Sequence, residues 1–174
     1  SSFEHMAKTI QSLMERVHME EKELRKTELK ALQAQINPHF LYNTLDSIQW
    51  MCEQGKTKDA AEMVRALARL FRISISRGRE LITLREELQH AENYLIIQSY
   101  RYRSQFSYTI DASDGLMNCL CNKITIQPLI ENAIYHGIDR MVEKGEIKIS
   151  VKPAVDASDD ILITVSDNGI GMTK

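Results

Sequence analysis

The chain has 174 residues, and its 22 basic and 24 acidic side chains give a formal net charge of −2. This balance argues against a nucleic-acid surface, and no apolar run reaches the roughly 18 residues that a membrane helix needs. Hydrophobic residues make up 43% of the sequence, which is typical of one or two small domains with packed cores. Cys52, Cys119 and Cys121 lack zinc-type spacing, so three reduced thiols in a cytosolic protein are predicted.

Residues 6 to about 52 are predicted to form one long helix, and residues 1–5 are expected to be the remnant of an expression tag. The first part of the helix repeats at alternating spacings of three and four, with two polar interruptions. The residues at these positions are Met6, Ile10, Leu13, Val17, Glu20, Leu24, Thr27 and Ala31. Such heptad spacing indicates a parallel coiled-coil homodimer, and the alternative is an isolated surface helix.

A proline inside this predicted helix draws attention to the histidine that follows it. Pro38 would remove a backbone donor at a cost of about 3 kcal/mol, so a kink that presents His39 to solvent is expected. An exposed histidine can act as a nucleophile or a phosphate acceptor. Asn43 lies four residues further on, where its amide could orient a water or a phosphoryl oxygen near the imidazole. The alternative is a structural histidine.

Two shorter helices are predicted next. Gly55 marks a turn, and residues 58 to about 76 form a helix with Met63, Leu67 and Leu70 in one stripe. Gly78 breaks the pattern. A capping box over residues 83–86 then begins a third helix that runs to about residue 103. Its shared face consists of Leu84, Leu88, Ala91, Leu95 and Gln98.

The pattern changes near residue 104, where a boundary between a helical part and an α+β part is predicted. Residues 106–110 alternate as a strand, and residues 111–116 are predicted to be a loop. An apolar helical pattern covers residues 122 to about 141 around Pro128. Residues 146–152 and 161–165 are predicted to form an antiparallel hairpin around a polar turn at residues 156–160.

Two motifs in the α+β part carry polar groups at informative spacings. Glu131, Asn132 and His136 can lie along one side of the predicted helix, where amide and carboxylate oxygens suit Mg²⁺. The alternative is a polar helix face that ends at a glycine cap. The other motif has a carboxylate at a strand end, Asp167, followed by Gly169 and Gly171, which allow backbone turns that side chains would block. An ordinary turn is the alternative there.

These motifs, in this order, resemble the sensor histidine kinases of the LytS/YesM type. Residues 34–45 are similar to the phosphoacceptor box, residues 127–137 to the N box of the GHKL ATP-binding fold, and residues 167–172 to its first glycine box. The resemblance implies an all-α dimerisation hairpin, a four-helix bundle in the dimer, followed by an incomplete α+β GHKL (Bergerat) domain. The expected divisions are a linker coiled coil at 1–30, dimerisation and phosphotransfer helices at 31–104, and a truncated ATP-binding domain at 105–174.

The resemblance also implies roles for individual residues. His39 would be the phosphorylation site, and Asn132 would be a ligand of Mg²⁺. Glu131 and His136 would lie near the phosphates of ATP. The residue expected to recognise the adenine amine is Asp167, while Gly169 and Gly171 would let the backbone curve around the base.

For the whole protein, the resemblance implies a bacterial plasma-membrane receptor of which this chain is a cytoplasmic part. A HAMP or other membrane sensor module would precede it, and a response-regulator aspartate would receive the phosphoryl group. The fragment itself is expected to be inactive, because the family's fold continues beyond its first glycine box. The alternatives are a GHKL ATPase without phosphohistidine and a non-catalytic dimeric signalling module. Phe40 follows His39 where many histidine kinases carry an acid, so no general base is identified.

Overall fold

The computed structural model describes residues 2–35, 37–75, 79–138, 141, 143–155 and 160–171, and in the first helix it describes only the side chains of residues 5, 6 and 8–25. Contacts divide the chain into two units, residues 1–41 and residues 42–174. Over these described ranges, no helix has both the length and the apolar character required to cross a membrane.

The first unit consists of helix α1, Ser2–Gln35, and the first turn of helix α2, Pro38–Glu53. The apolar heptad residues whose side chains are described are between 45% and 60% exposed. They are Met6, Ile10, Leu13, Val17 and Leu24. The heptad residues Thr27 and Ala31 lie outside the described side chains. Helix α1 therefore presents an uncovered apolar stripe in the single chain.

The prediction of one continuous helix over residues 6–52 is wrong, because the helix ends at Gln35 and a new one begins at Pro38. The side chain of Asn37 accepts hydrogen bonds from the backbone N–H groups of His39, at 3.1 Å, and Phe40, at 3.4 Å. Asparagine is a favoured N-cap, and proline is tolerated in the first helical turn, where its missing donor costs nothing. Asn37 and Pro38 thus begin a helix rather than kink one.

The turn predicted at Gly55 is confirmed and ends helix α2. Gly55 has a φ of 71°, and its N–H donates to the carbonyl of Cys52, while the N–H of Lys56 donates to that of Met51. This pair of bonds is the Schellman pattern of a helix C-terminus. Helix α3, Thr57–Ile75, follows and buries the predicted stripe of Met63, Leu67 and Leu70. The predicted break at Gly78 lies outside the described residues.

Helix α4, Leu84–Arg101, begins at the predicted capping box: the N–H of Glu86 donates to the Thr83 hydroxyl, and the N–H of Thr83 donates to the Glu86 carboxylate. This second bond holds the pKa of Glu86 below its ordinary value. Ten of the 18 residues of α4 are buried, including all five of its predicted face. The helix packs against α3 and against the α+β part of the chain.

Two small sheets form the α+β part. The shorter pairs strands β1, Leu81–Thr83, and β3, Leu120–Asn122, antiparallel, and neither strand was predicted from the sequence. The other has the order β2, β4, β5, with β2, Phe106–Ala112, parallel to β4, Gly145–Pro153. Strand β5, Ile161–Asp167, pairs antiparallel with β4, which confirms the predicted hairpin. The β4 residues Ile147, Ile149 and Val151 are fully buried. Most of the predicted turn, residues 156–159, lies outside the described residues.

The predicted helix over residues 122–141 is shorter than expected and has two parts. Helix α5, Gln127–Asn132, has Pro128 in its first turn, where a missing donor is harmless. A π-helix, Ala133–Ile138, continues it. The segment predicted as a loop contains the end of β2 and a 3₁₀ turn, Asp114–Leu116. The structure is thus a helical N-terminal part followed by a small α+β region with a mixed sheet.

Candidate functional site

His39 is an exposed residue at the second helical position of α2. The N-cap Asn37 holds its backbone N–H, and Pro38 fixes the start of the helix. A helix N-terminus carries partial positive charge, which favours an anion attached there. The predicted exposure of His39 is confirmed. An imidazole in this position can react with a phosphate donor, and the product would have its negative charge near the positive end of α2.

Asn43 belongs to the second unit and is half-buried on the same helix. Its backbone carbonyl accepts a hydrogen bond of 2.8 Å from the hydroxyl of Ser47. The role predicted for its side-chain amide stays a prediction.

Asp167, Gly169 and Gly137 come together where strand β5 ends beside the π-helix. The N–H of Gly169 donates to Oδ1 of Asp167 at 2.8 Å, and the N–H of Ile170 lies 3.5 Å from the carbonyl oxygen of Gly137. A Cβ at Gly137 would come within 2.7 Å of Asp167 Oδ1, and one at Gly169 would overlap the backbone of Gly137. The structure thus unites the second and third sequence motifs, and only glycines allow so close a junction.

The Asp167 carboxylate is exposed at this junction. Its Oδ1 accepts the Gly169 N–H, which restrains the side chain, and the carboxylate has capacity to accept further hydrogen bonds. Gly171 lies just beyond, with a φ of 71°, and a Cβ at this residue would meet no atom within 4 Å. Glycine is favoured at this position by the positive φ rather than by crowding from neighbouring atoms.

Glu131, Asn132 and His136 lie on α5 and the π-helix, directly before Gly137. Asn132 and His136 are exposed, whereas Glu131 is half-buried and accepts a 2.8 Å bond from the side chain of Gln127. The π-helix begins at the residue after Asn132, and such segments occur frequently at functional sites. An exposed amide oxygen at this point can serve a Mg²⁺ ion that also binds phosphate oxygens.

Two protein-family models match this chain. The histidine kinase model matches residues 27–106, which include His39. The model of histidine kinase-, DNA gyrase B- and HSP90-like ATPases matches residues 121–174, which include Asn132 and Asp167, and so implies ATP binding there. A curated relative, the sensor histidine kinase YesM of Bacillus subtilis (strain 168), is 41% identical over 170 residues, which is 98% of this chain.

This chain belongs to the sensor histidine kinases. It is also 32% identical over 164 residues, 94% of its length, to the sensor protein kinase HptS of Staphylococcus aureus (strain USA300). The sensor histidine kinase BtsS of Escherichia coli (strain K12) is 32% identical over 145 residues, 83% of this chain. The chain spans 29% of YesM, 30% of HptS and 25% of BtsS, so under a third of each relative's length.

A buried carboxylate that the sequence analysis missed supports the start of α5. Glu87 on helix α4 is fully buried, and its carboxylate accepts three backbone N–H bonds. The donors are Ile124 at 2.8 Å, Thr125 at 2.7 Å and Ile126 at 2.9 Å. Ile124 has a φ of 60°, a left-handed conformation that costs a β-branched residue about 1–3 kcal/mol. Glu87 therefore holds a strained turn in place.

A second polar contact joins α4 to the π-helix. The side-chain N–H₂ of Gln98 donates to the hydroxyl of Tyr94 at 2.6 Å and lies 3.3 Å from that of Tyr135. Burial, with smaller contributions from Tyr135 and Glu131, raises the pKa of Tyr94 far above its ordinary value. The Tyr94 phenol therefore stays protonated. The side-chain amide of Gln98 links the two helices.

Asn168 attaches the glycine-rich segment after β5 to strand β4. Its side-chain oxygen accepts a 2.6 Å bond from the N–H of Glu146, and its own N–H donates to the carbonyl of Glu146 at 3.2 Å. The sequence carried a signal for this, since asparagine side chains commonly satisfy nearby backbone groups in turns. Asn168 thereby fixes the position from which Asp167 and Gly169 project.

A buried histidine lies between helices α3 and α4, away from the predicted site residues. His90 is fully buried, and its Nε2 lies 2.9 Å from the hydroxyl of Ser74. Burial lowers its pKa to about 4, so the ring is neutral near neutral pH. Its Nδ1 has no hydrogen-bond partner among the residues that the structure describes. His90 is thus a structural histidine, in contrast to the exposed His39.

Proposed function

We propose that this chain is the phosphoacceptor and nucleotide-binding part of a two-component sensor kinase, in which His39 is phosphorylated from Mg-ATP. The observation that carries the proposal is the exposed imidazole of His39 in the first turn of the capped helix α2. The N-terminal end of the helix favours the negatively charged phosphorylated form. The family matches supply the phosphate donor, since residues 121–174 match an ATPase family.

The proposed nucleotide site is the junction of Asp167, Gly169 and Gly137. The carboxylate of Asp167 would accept a hydrogen bond from the adenine amine, and Gly169 and Gly171 would let the backbone curve around the base. Asn132 would provide one protein ligand to Mg²⁺, with Glu131 and His136 near the phosphates. Described residues contain no cluster of three or more His, Cys, Asp or Glu side chains that could hold a metal, and a Mg²⁺ site of one or two protein ligands plus phosphates needs none.

In the proposed reaction, the lone pair of a neutral imidazole nitrogen of His39 attacks the γ-phosphorus. A nitrogen–phosphorus bond forms while the bond to the β–γ bridging oxygen breaks, and ADP leaves with that electron pair. The other ring nitrogen then loses its proton to solvent. Bound Mg²⁺ would offset the phosphate charge. Asn43 is proposed to orient the imidazole or a phosphoryl oxygen, because it follows one helical turn after His39.

The whole protein is proposed to be a homodimer that receives its signal from a membrane module and passes the phosphoryl group to a response-regulator aspartate. The exposed apolar stripe on α1 supports dimerisation, since a second copy would cover it. A change in the α1 pair would control how often the nucleotide site meets His39. The bacterial relatives named as sensor kinases support the signalling role, and the location in a plasma-membrane receptor is part of the proposal.

The experiment uses protein expressed from the complete gene that encodes this chain, incubated with Mg²⁺ and γ-labelled ATP. We expect acid-labile label on the wild type and none on His39→Gln, because the amide cannot form a stable phosphoramidate by this route. The matched control is His18→Gln, which changes an exposed histidine of α1 and should leave labelling unchanged. Labelling that persists in His39→Gln would contradict the proposal.

The same samples separate the alternatives. Multiple turnovers of phosphate release with no protein label would indicate a GHKL ATPase without phosphohistidine. No heat of ATP binding in calorimetry would leave a non-catalytic dimeric module. A labelled protein that transfers its phosphoryl group to an isolated receiver domain, with loss of label from His39, would support the complete proposal.

A further inference from the structure

We propose that Glu87 is a positioning residue through which helix α4 sets the place of the N-box segment, and with it the place of Asn132. The inference rests on the proposed function, because it concerns how the nucleotide site is held. It goes beyond the family motifs, since Glu87 belongs to none of the phosphoacceptor, N-box or glycine-box segments. It depends on the contacts of Glu87, the strain in the turn it binds, and the attachments at both ends of the N-box segment.

Glu87 is engaged at both carboxylate oxygens. Oε2 accepts from the N–H of Ile124, and Oε1 accepts from the N–H groups of Thr125 and Ile126. Three converging donors match a carboxylate, which is acceptor-only when ionised. Hydrogen bonds to an ionised acceptor are about twice as strong as those between neutral groups. The Glu87 carboxylate thus attaches helix α4 to the turn before α5.

The attached turn would not hold its shape unaided. Ile124 has a positive φ, and the side chain of Thr125 donates to the carbonyl of Asn122 at 2.8 Å. Strained conformations of this kind persist only where surrounding structure over-determines them. Glu87 supplies that determination, because its three bonds fix three successive N–H directions.

The turn leads directly into α5. Ile126 donates its N–H to Glu87, and its carbonyl accepts from the N–H groups of Leu129 and Ile130 at 3.1 Å each. Ile126, which Glu87 binds through Oε1, thus lies directly before α5, the helix that ends at Asn132. A displaced start of α5 moves Asn132, because helices transmit displacement as rigid elements.

The other end of the segment has separate attachments. The side chain of Gln98 lies 3.3 Å from the Tyr135 hydroxyl, and Gly137 packs against Gly169 and Asp167. Loss of Glu87 would therefore release α5, which carries Asn132, while the contacts of Gly137 with Gly169 and Asp167 remain. We therefore expect the Mg²⁺-dependent part of the ATP affinity to fall while the adenine-dependent part stays unchanged.

The test is calorimetric titration of the protein from its complete gene with ATP, once with Mg²⁺ and once with EDTA. In Glu87→Gln, which is close in shape but replaces one acceptor oxygen by a donor group, we expect the tightening of ATP binding by Mg²⁺ to fall by about tenfold, or 1.4 kcal/mol. Metal-free ATP affinity should stay within about twofold of the wild type, a difference well under that tenfold step.

Ile97→Ala is the control for a general loss of stability, because truncating this fully buried side chain opens a cavity on the same helix and removes none of the three hydrogen bonds to the turn. It should keep the full effect of Mg²⁺. Equal Mg²⁺ tightening in Glu87→Gln and wild type would overturn the inference. A parallel loss of metal-free binding would also overturn it, since Glu87 would then act only on overall folding. No ATP binding by the wild type would instead contradict the proposed function itself.

A second variant serves if Glu87→Gln does not fold. Glu87→Asp keeps a carboxylate but is one methylene shorter, so its oxygens fall short of keeping all three bonds to Ile124, Thr125 and Ile126. In the folded Glu87→Asp variant, loss of the Mg²⁺ effect supports the inference, and a wild-type Mg²⁺ effect overturns it.

Discussion

Helices α1 and α4 are both long and rich in apolar residues, yet they are held in opposite ways. Every side chain described in α1 is exposed, and its structure rests on local pairs such as Arg25 with Glu21 at 3.0 Å. Helix α4 buries ten of its 18 residues, and it makes polar contacts with the turn before α5 through Glu87 and with the π-helix through Gln98. One helix offers its apolar surface to a partner, and the other uses it inside the chain.

The difference suits the proposed division of labour. A helix that transmits a signal must be able to change its pairing, so weak exposed ion pairs and an interrupted stripe are suitable. A helix that positions a nucleotide site must not move, and burial with converging hydrogen bonds supplies that rigidity. The two helices should therefore respond differently to substitution, and the largest difference concerns their apolar residues.

Leu95→Ala in α4 should lower the free energy of unfolding by about 2–5 kcal/mol, because Leu95 is fully buried and its truncation leaves a cavity. The matched change in α1, Leu13→Ala, removes the same atoms from a half-exposed side chain. Urea unfolding at several protein concentrations measures both.

The Leu95→Ala loss should not depend on protein concentration. The Leu13→Ala loss should appear only where the proposed dimer forms, because dimer stability depends on protomer concentration. A concentration-independent loss of similar size in Leu13→Ala would show that α1 is stabilised within one chain, and the contrast between the helices would fail.

His90 predicts a pH dependence of the α3–α4 packing. Its pKa is about 4 in the folded state, below the ordinary value of 6.5, so between these values the unfolded state binds a proton that the folded state does not. Stability is therefore full above pH 6.5 and falls as the pH drops to 4, by roughly 3 kcal/mol in total.

Unfolding of wild type and His90→Gln from pH 7.5 to 4 isolates this contribution, because the carboxylates that also titrate are common to both. The difference in stability between the two proteins should shrink as the pH falls. A difference that stays constant would show that His90 does not titrate in this range.

The two glycines of the Asp167 segment should differ in their tolerance of a side chain. Gly169→Ala places a Cβ against the backbone of Gly137, so it should cost about 1–3 kcal/mol of unfolding free energy, as overpacking does. It should also weaken ATP binding through the displaced Asp167. Gly171→Ala meets no atom and costs about 1 kcal/mol through its positive φ. Thermal unfolding and ATP titration measure these effects. Equal losses of stability and of ATP affinity in Gly169→Ala and Gly171→Ala would contradict this reasoning.

Local signals in the sequence predicted much of this fold, whereas contacts between residues far apart in the chain were not predicted. The capping box of Thr83 and Glu86 spans three residues, and the β4–β5 hairpin follows from simple alternation, so both were predictable. The Asn37–Pro38 pair is also a local signal for a helix start, and a prediction based on N-cap preference would have placed the break there.

Other features depend on residues far apart in the chain. Glu87 bonds to donors 37 to 39 residues away, and nothing near it in sequence marks those donors. Strands β1 and β3 have three residues each, too few for a periodic pattern. The junction of Gly137 and Gly169 joins two motifs that local pattern alone explained as a glycine-capped helix face and an ordinary turn. The site residues could be proposed from the motifs, but their support could not.

The smallest expected effects concern the N-caps of helices α2 and α4. Thr83→Ala and Asn37→Ala each remove a side-chain acceptor from a helix start, at a typical cost of about 1 kcal/mol. In Thr83→Ala this cost should appear in global unfolding, because α4 is buried within the second unit. In Asn37→Ala it should appear as local opening, with faster amide hydrogen exchange at His39 and Phe40, because their N–H groups lose their acceptor. Exchange measured by NMR, with Thr9→Ala as an exposed control in α1, distinguishes the two. Unchanged exchange at His39 in Asn37→Ala would mean that the cap does not hold the first turn of α2, and the proposed phosphoacceptor imidazole would then need another source of order.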